Sequence, residues 1–266
     1  MALSVVLWVS VRLPLCLREA LRRTSVAEAL ARSSSAHVTA LLPPCARDIR
    51  GLGQPIRLAL EYVCADFVDV RVHYGPGEPG SDTYKQYWKD EKAKLAASAG
   101  LPFGGNLPYM VDGDVALVQS NTILRYIGRK YNLMGDGSAA QSSAIDVLLD
   151  QMADFDDTFT GMCYGSYNDG GKESYVEGKL PTLLSQLADF LGDKPFMVCG
   201  QPTIPDFKIF ELLLKCKVAF GDGCLAAAPT VAAYCDRMRA LPTLAAYLDS
   251  DRAITRPLNN AHAQFK

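Results

Sequence analysis

Residues 107–131 read LPYMVDGDVALVQSNTILRYIGRKY, and their pattern predicts the architecture of the first half of the chain. Two apolar segments flank the dipeptide Asp112-Gly113, which is a favoured two-residue turn, and they predict a β-hairpin. The segment from Ser120 to Tyr131 has the apolar spacing of an amphipathic helix, with Ser120 expected as its N-cap. A hairpin followed at once by a helix is typical of an α/β layer.

The residues upstream of the hairpin alternate between strand and helix patterns. HVTALL (37–42) and FVDVRVHY (67–74) are predicted strands, because both are short and rich in β-branched residues. RGLGQPIRLALEYV (50–63) has helical apolar spacing, and TYKQYWKDEKAKLAA (83–97) is a predicted polar helix. Residues 37–131 therefore predict the order β-α-β-α-β-β-α.

The second half of the chain has only helical patterns. Apolar residues recur at helical spacing in two long stretches, with members Ile145, Leu149, Met152, Phe155, Phe159 and Met162, and Leu180, Leu184, Leu187 and Leu191. TIPDF (203–207) predicts a further helix that starts with a capping box from Thr203 to Asp206. Two short helices are expected around 231–241 and 243–248. We expect residues 132–141 to be a linker and residues 142–266 to be an all-helical domain.

The composition excludes several classes of protein. The chain has 266 residues, a formal net charge of −2 and a pI of about 5.9, so it has no basic surface signature for nucleic acid. The longest apolar stretch near the N-terminus is too short to span a membrane. The eight cysteines and three histidines follow no zinc-ligand spacing, so we expect reduced thiols and no metal site.

The first 36 residues differ from the rest of the chain. They hold five arginines, six serines, no lysine and two acidic residues, a profile typical of an organelle transit peptide. The alternatives are an N-terminal extension with no targeting role and a wrongly predicted start of the reading frame. The expected location is the cytoplasm, or the mitochondrion or plastid if residues 1–36 are a transit peptide.

Several ordered motifs together resemble one family. DIRGLGQPIRLALEY (48–62), NLPYMVDG (106–113), QSNTILRYIGRKYNL (119–133), FLGDKPFMVCG (190–200) and TIPDF are similar to the glutathione transferases, the mu class in particular. The segment 73–92 is similar to the mu-class loop, and the resemblance runs from Asp48 to Pro257. It implies a thioredoxin-like N-terminal domain with a cis-proline at Pro108, followed by an all-α domain.

The resemblance also implies a function and a site. The implied enzyme is a homodimer that joins the thiol of glutathione to hydrophobic electrophiles in detoxification and glutathione metabolism, with glutathione as co-substrate and no cofactor. The glutathione-binding residues would be Trp88, Lys92, Asn106, Leu107, Gln119 and Ser120, with Asp154 supplied by the partner subunit, and Tyr164 would line the electrophile site. Without the resemblance, Lys92 is a solvated charge, Trp88 a packed aromatic and Ser120 a helix cap.

The sequence departs from the family at one catalytic position. Family members have a tyrosine two residues before the aspartate of DIRG, and its hydroxyl stabilises the glutathione thiolate. The matching residue here is Ala46, and the neighbouring family tryptophan is replaced by Arg47. Three explanations stay open: Arg47 or a backbone N–H stabilises the thiolate, Cys45 is the reactive group, or the residues before Asp48 are not the native first strand. A non-catalytic glutathione- or hydrophobic-ligand-binding protein is the alternative function.

Overall fold

The computed structural model describes residues 39–42, 49–71, 77–78 and 81–266. Residues His37–Lys266 form one compact unit. Cys45, Ala46 and Arg47, and the predicted transit segment 1–36, lie outside the described residues.

A four-stranded sheet forms the centre of the first half. Its strands are β1 (Thr39–Leu42), β2 (Val70–Arg71), β3 (Tyr109–Asp112) and β4 (Val115–Val118), in the order β2-β1-β3-β4. β1 is parallel to β2 and antiparallel to β3, and β3 is antiparallel to β4. This is the strand arrangement expected of a thioredoxin-like layer, and the segment HVTALL supplies its central strand β1.

Three helices accompany the sheet. They are α1 (Gln54–Tyr62), which follows a 3-10 turn over Gly51–Gly53, α2 (Asp82–Ala99) and α3 (Ser120–Lys130). α1 buries Ile56 and Leu60, as its apolar spacing predicts, while Val63 of the same predicted face is only half-buried. Leu58, which the spacing did not place on that face, is buried as well. The hydroxyl oxygen of Ser81 accepts a hydrogen bond from the N–H of Tyr84 at the start of α2, and so caps that helix.

Two local predictions were wrong in detail. The hairpin is confirmed, but Asp112 pairs with Val115, so the loop residues are Gly113-Asp114 and not Asp112-Gly113. Gly113 has a φ of 58°, a backbone conformation that favours glycine at the first loop position. Ser120 is the first residue of α3 and not its N-cap, because Gln119 turns the chain from β4 into the helix with a φ of 73°. Within the described part of the predicted strand 67–74, Val70–Arg71 forms a strand and Phe67 an isolated bridge.

The second half is helical, as predicted. α4 (Ala139–Gly165) leads through helical turns over Tyr167–Gly171, Lys172–Ser174 and Tyr175–Lys179 into α5 (Leu180–Leu191). α6 (Ile204–Phe220), a 3-10 turn over Asp222–Leu225, α7 (Pro229–Arg239) and α8 (Pro242–Leu248) complete it. α4 begins at Ala139, so it includes the last residues of the segment predicted as a linker, 132–141.

α6 is the helix on which the two halves meet. It packs against α1 and α3 on one side and against α4 on the other. Most of its side chains are buried, including the charged residues Asp206, Lys208, Glu211 and Lys215. The predicted capping box between Thr203 and Asp206 is present at its start. A helix in this position must satisfy its buried charges with partners from several other elements.

Candidate functional site

One edge of the sheet collects the backbone segments that the family resemblance assigns to glutathione. Tyr109 faces Val118 in the β3–β4 pair, so the residues before β3 and after β4 lie on adjacent chains at that edge. These residues are Leu107–Pro108 and Gln119–Ser120. The Leu107–Pro108 peptide bond is cis, as predicted. Leu41 faces Tyr109 in the neighbouring pair, so β1 ends at the same edge.

The N-terminus of α3 lies at this edge and has no side-chain cap. The N–H of Ile123 donates to the carbonyl of Gln119 at 2.9 Å, so the N–H groups of residues 120–122 precede the first intrahelical bond. Together with the positive end of the helix dipole, these donors favour a carboxylate. Ser120 is half-buried and adds a hydroxyl, and Gln119 is exposed and adds a side-chain amide.

Gly105 brings the segment before β3 against α2. A Cβ at this position would lie 3.3 Å from the Ala96 Cβ and 3.3 Å from the carbonyl oxygen of Lys92. Gly105 also has a φ of 72°, so both space and conformation require glycine. Asn106, which is exposed, and Leu107, which is half-buried, therefore lie beside the turn of α2 that carries Lys92.

The predicted glutathione residues thus divide into two groups. The structure places Asn106, Leu107, Gln119 and Ser120 at this edge of the sheet, and it places the backbone of Lys92 beside Gly105. The backbone of Trp88 lies in α2 one turn before Lys92, but its side chain is outside the described part of the structure. Arg47, the predicted thiolate stabiliser, is outside it as well.

Tyr164 contacts the C-terminal segment. It lies near the end of α4, and its hydroxyl oxygen accepts a hydrogen bond from the N–H of Asn260 at 3.0 Å. Its ring meets the His262 ring edge-on, with centroids 5.1 Å apart. The tail of the chain therefore forms one wall around the residue that the resemblance assigns to the electrophile site.

Asp154 lies on the exposed face of α4. It is ten residues before Tyr164, which is about 15 Å along the helix axis. Asp150, one turn earlier on α4, accepts a hydrogen bond at 3.1 Å from Arg125 of α3 and is thus paired within the chain. The carboxylate of Asp154 projects from the surface, because the residue is exposed.

The sequence analysis missed two residues next to Ser120. The Nζ of Lys208 donates to the Oδ1 of Asn121 at 2.7 Å, directly behind the first turn of α3. The available signal was a lysine inside the apolar run of α6. Its partner is 87 residues away in sequence, so no local pattern could identify it.

The cysteines with a resolved pKa shift are held as thiols. Burial raises the pKa of Cys163 and of Cys235 to about 11, and it also raises the pKa of Cys216 and Cys224. These four residues therefore supply no thiolate near neutral pH. Within the described ranges, no three His, Cys, Asp or Glu residues are grouped as metal ligands. No described helix is both long enough and apolar enough to cross a membrane.

Comparison with known proteins gives a consistent family. Residues 48–129 match the model of the glutathione S-transferase N-terminal domain, and residues 153–251 match that of the C-terminal domain. The chain is 37% identical over 194 residues to glutathione S-transferase 2 of Gallus gallus, covering 73% of this chain and 83% of the relative. It is 37% identical over 218 residues to human glutathione S-transferase Mu 3, and the alignment covers 82% of this chain and 92% of that relative.

A solved structure matches the fold. The Pi-class glutathione S-transferase of Onchocerca volvulus superposes with a TM-score of 0.70 at 27% identity, covering 85% of this chain and 99% of that structure. The fold is therefore a thioredoxin-like N-terminal domain followed by a helical C-terminal domain. Because both domain models match in order and the named relatives align over most of their length, the chain belongs to the glutathione S-transferase family, in its mu class.

Proposed function

We propose that the protein binds glutathione and transfers its thiolate to hydrophobic electrophiles. The observation that carries the proposal is the surface at the sheet edge, where the cis Leu107–Pro108 peptide lies beside the uncapped N-terminus of α3. That surface offers a strand edge and an anion site side by side, which suits a peptide with a carboxylate at one end. Membership of the glutathione S-transferase family supports the same ligand.

The proposed binding mode assigns each polar group of glutathione to residues of this surface. The γ-glutamyl carboxylate binds the Ser120 N–H and hydroxyl, with the side-chain amide of Gln119 beside it. The cysteinyl peptide pairs with the backbone of Leu107, and Asn106 contacts the tripeptide on the same side. The glycine carboxylate pairs with Lys92, helped by the indole N–H of Trp88.

The chemistry follows from the ligand. The sulfur of the bound thiolate forms a bond to the electrophilic carbon, and in a substitution the leaving group departs with the electron pair of the broken bond. The protein contributes a fixed thiolate and a dry surface for the electrophile. Tyr164 would donate a proton or hydrogen bond to the negative charge that develops on the electrophile.

The missing tyrosine favours a second candidate function. Ala46 offers no hydroxyl to the sulfur, so a non-catalytic glutathione- or hydrophobic-ligand-binding protein would need the same surface and no activation. A free thiol with a pKa near 8.5 is only a few per cent ionised at neutral pH. The ionised fraction of bound glutathione therefore distinguishes an enzyme, which raises it, from a binding protein, which leaves it unchanged. Arg47 is the proposed replacement donor in the enzyme.

We include a homodimer in the proposal. Phe103 is 97% exposed and has a φ of 55°, which is an uncommon backbone conformation for a bulky residue. Val147 on α4 is 60% exposed, and Asp154 follows it seven residues later on the same helix face. A second copy that covers Val147 would meet Asp154, which supports the proposed contact between Asp154 and the ammonium of the partner's glutathione.

The proposed setting is detoxification and glutathione metabolism in the cytoplasm. A mitochondrial or plastid location is the alternative, supported by the arginine- and serine-rich residues 1–36. N-terminal sequencing of the protein isolated from its own cells distinguishes them, because a transit peptide is removed on import.

The test of the function is thioether formation with 1-chloro-2,4-dinitrobenzene from pH 6 to pH 8.5, measured against the uncatalysed reaction. The enzyme is expected to exceed the background rate, with an apparent pKa below that of free glutathione. Retention on immobilised glutathione is measured in parallel. Retention with no rate above background would support the binding protein, and no retention would reject both functions.

A further inference from the structure

Lys208 is a buried cation with an unusual set of partners. It lies in the second turn of α6 and is only 5% exposed. Its Nζ donates to the Oδ1 of Asn121 at 2.7 Å and reaches the carbonyl oxygen of Leu149 at 3.4 Å. Both acceptors are uncharged, so the ammonium is held by dipoles and not by a carboxylate.

Asn121 links this ammonium to the anion site. Its Nδ2 donates to the same Leu149 carbonyl at 3.1 Å, so the amide is fixed at both ends. Asn121 is the second residue of α3 and follows Ser120 directly. The first turn of α3 thus follows Gln119, which has a positive φ. The Asn121 side chain, which is hydrogen-bonded to Lys208, fixes the position of this turn.

The electrostatic environment makes this placement costly. Burial lowers the pKa of Lys208, and the nearby ammonium of Lys215 lowers it further. The carboxylates of Asp156, Asp157 and Asp150 on α4 only partly oppose these effects. A buried charge without a directly bonded counter-ion costs folding free energy. An apolar side chain of the same length would avoid the cost, so the presence of the ammonium calls for a functional reason.

Lys215 on the same helix shows the ordinary arrangement. It is also buried, and its Nζ forms an ion pair with the Oδ1 of Asp156 at 2.7 Å, with side-chain exposures of 4% and 7%. That pair lies inside the helical half and is neutralised within it. The two lysines therefore differ in their bonded partners: Lys215 is paired with a carboxylate, and Lys208 is directed at the start of α3.

We propose that Lys208 is a positioning residue for glutathione, which acts through Asn121 on the N–H groups at Ser120 and adds positive charge behind them. The inference rests on the proposed function, because it assigns the Ser120 surface to the γ-glutamyl carboxylate. Lys208 does not touch the ligand. It holds the first turn of α3 in place and raises the preference of that turn for an anion.

The test compares two ligands on one set of variants. Glutathione is titrated by calorimetry beside γ-aminobutyryl-cysteinylglycine, which lacks only the γ-glutamyl carboxylate. Lys208→Met should weaken glutathione binding about 5- to 30-fold, which is less than the loss of a charge-assisted hydrogen bond to the ligand itself, because Lys208 does not touch the ligand. The same variant should weaken binding of the analogue much less. The preference for glutathione over the analogue then shrinks, which general loosening of the fold would not produce.

Two further variants complete the test. Asn121→Ala should reproduce the part of the loss that acts through Asn121, and the double variant should bind no more weakly than Lys208→Met alone. Asn121→Ala also carries the test if Lys208→Met does not fold. Lys217→Gln removes an ammonium of α6 that forms an ion pair with Asp222 near the end of the helix, and it should leave the ligand preference unchanged.

The outcomes separate the inference from the proposed function. Wild-type protein that binds no glutathione overturns both. Wild-type protein that binds glutathione while Lys208→Met keeps the full preference overturns the inference alone. Additive losses in the double variant overturn the route through Asn121.

Discussion

Arg50 and Glu211 are 161 residues apart in sequence and form a bidentate ion pair in the protein interior. The Nε of Arg50 donates to Oε1 at 2.9 Å and its Nη2 to Oε2 at 2.6 Å. The side chains are 6% and 1% exposed. The N–H of Arg50 also donates to the carbonyl of Pro257 at 3.0 Å, so the chain just before α1 is fixed to both α6 and the C-terminal segment.

The Arg50–Glu211 pair predicts a strong asymmetry between single and double substitutions. Arg50→Met should lower the free energy of unfolding by about 3–5 kcal/mol, because it leaves a buried carboxylate unpaired. Arg50→Met with Glu211→Leu should recover most of that loss, because neither charge then remains. Urea unfolding of both variants measures the difference, and equal stabilities would show that the pair contributes by packing alone.

The capping box of α6 makes a second prediction. The Oδ2 of Asp206 accepts hydrogen bonds from the N–H of Thr203 at 2.7 Å and from its hydroxyl at 2.8 Å, and its Oδ1 accepts from the N–H of Met197 at 3.0 Å. Thr203→Ala should cost about 1 kcal/mol of stability. Asp206→Ala should cost about 3 kcal/mol or more, since several buried donors lose their acceptor.

A surface threonine provides the control for the capping box. The hydroxyl of Thr182 donates to the carbonyl of Gly178 at 3.0 Å inside an exposed stretch of helix, so it caps nothing. Thr182→Ala should change the unfolding free energy by less than about 0.5 kcal/mol. An equal loss in Thr182→Ala and Thr203→Ala would contradict the assignment of a capping role.

Local patterns predicted the elements that local physics determines. The helix of TIPDF, its capping box and the hairpin between β3 and β4 were all predictable, because their signals lie within a few residues of one another. The turn of that hairpin was misplaced by one residue, since Gly113 fits either loop position and only pairing with β4 decides between them. Gln119 was not recognised as the N-cap because no local rule predicts a positive φ for glutamine.

Only those residues of the candidate site that lie within a motif of the family could be predicted from the sequence. Ser120 and Leu107 carry motif positions, and strand pairing brings them together at one edge. Lys208 carries no motif, and its contact with Asn121 exists only because α6 packs against α3. The exposure of the Phe103 side chain could not be predicted either, because a phenylalanine next to glycines in sequence is compatible with both burial and exposure.

Tyr164→Phe should loosen the C-terminal segment. The variant removes the acceptor for the N–H of Asn260, so that amide should exchange with deuterium roughly 2- to 10-fold faster, the effect of one hydrogen bond. Hydrogen exchange with mass spectrometry measures it. Tyr167→Phe is the control, because the Tyr167 hydroxyl donates to the carbonyl of Ala219 and its removal leaves Asn260 paired. Unchanged exchange at Asn260 in Tyr164→Phe would show that the hydrogen bond does not hold the tail.

Phe103→Ser should weaken the proposed homodimer. Burying a phenylalanine contributes roughly 1.5–3 kcal/mol, and a two-fold interface counts it twice, so the dissociation constant should rise about a hundredfold or more. Sedimentation equilibrium measures the change. Leu52→Ser, at a residue that is 42% exposed, is the control and should leave the association unchanged. A wild-type protein that sediments as a monomer of 28.9 kDa would reject the dimer outright.

Ala46→Tyr should increase conjugation, because it restores a hydroxyl at the position where the family stabilises the thiolate. A hydrogen bond to a charged acceptor contributes about 1.5–3 kcal/mol, which corresponds to a pKa of the bound glutathione thiol roughly one or two units lower. The rate with 1-chloro-2,4-dinitrobenzene at pH 6.5 should therefore rise on the order of ten- to a hundredfold. Ala46→Phe is the control, because it adds the ring without the hydroxyl. A conjugation rate equal to that of Ala46→Tyr would show that packing of the ring, and not the hydroxyl, produces the increase. Another donor would then stabilise the thiolate, and Arg47 would be the first residue to substitute.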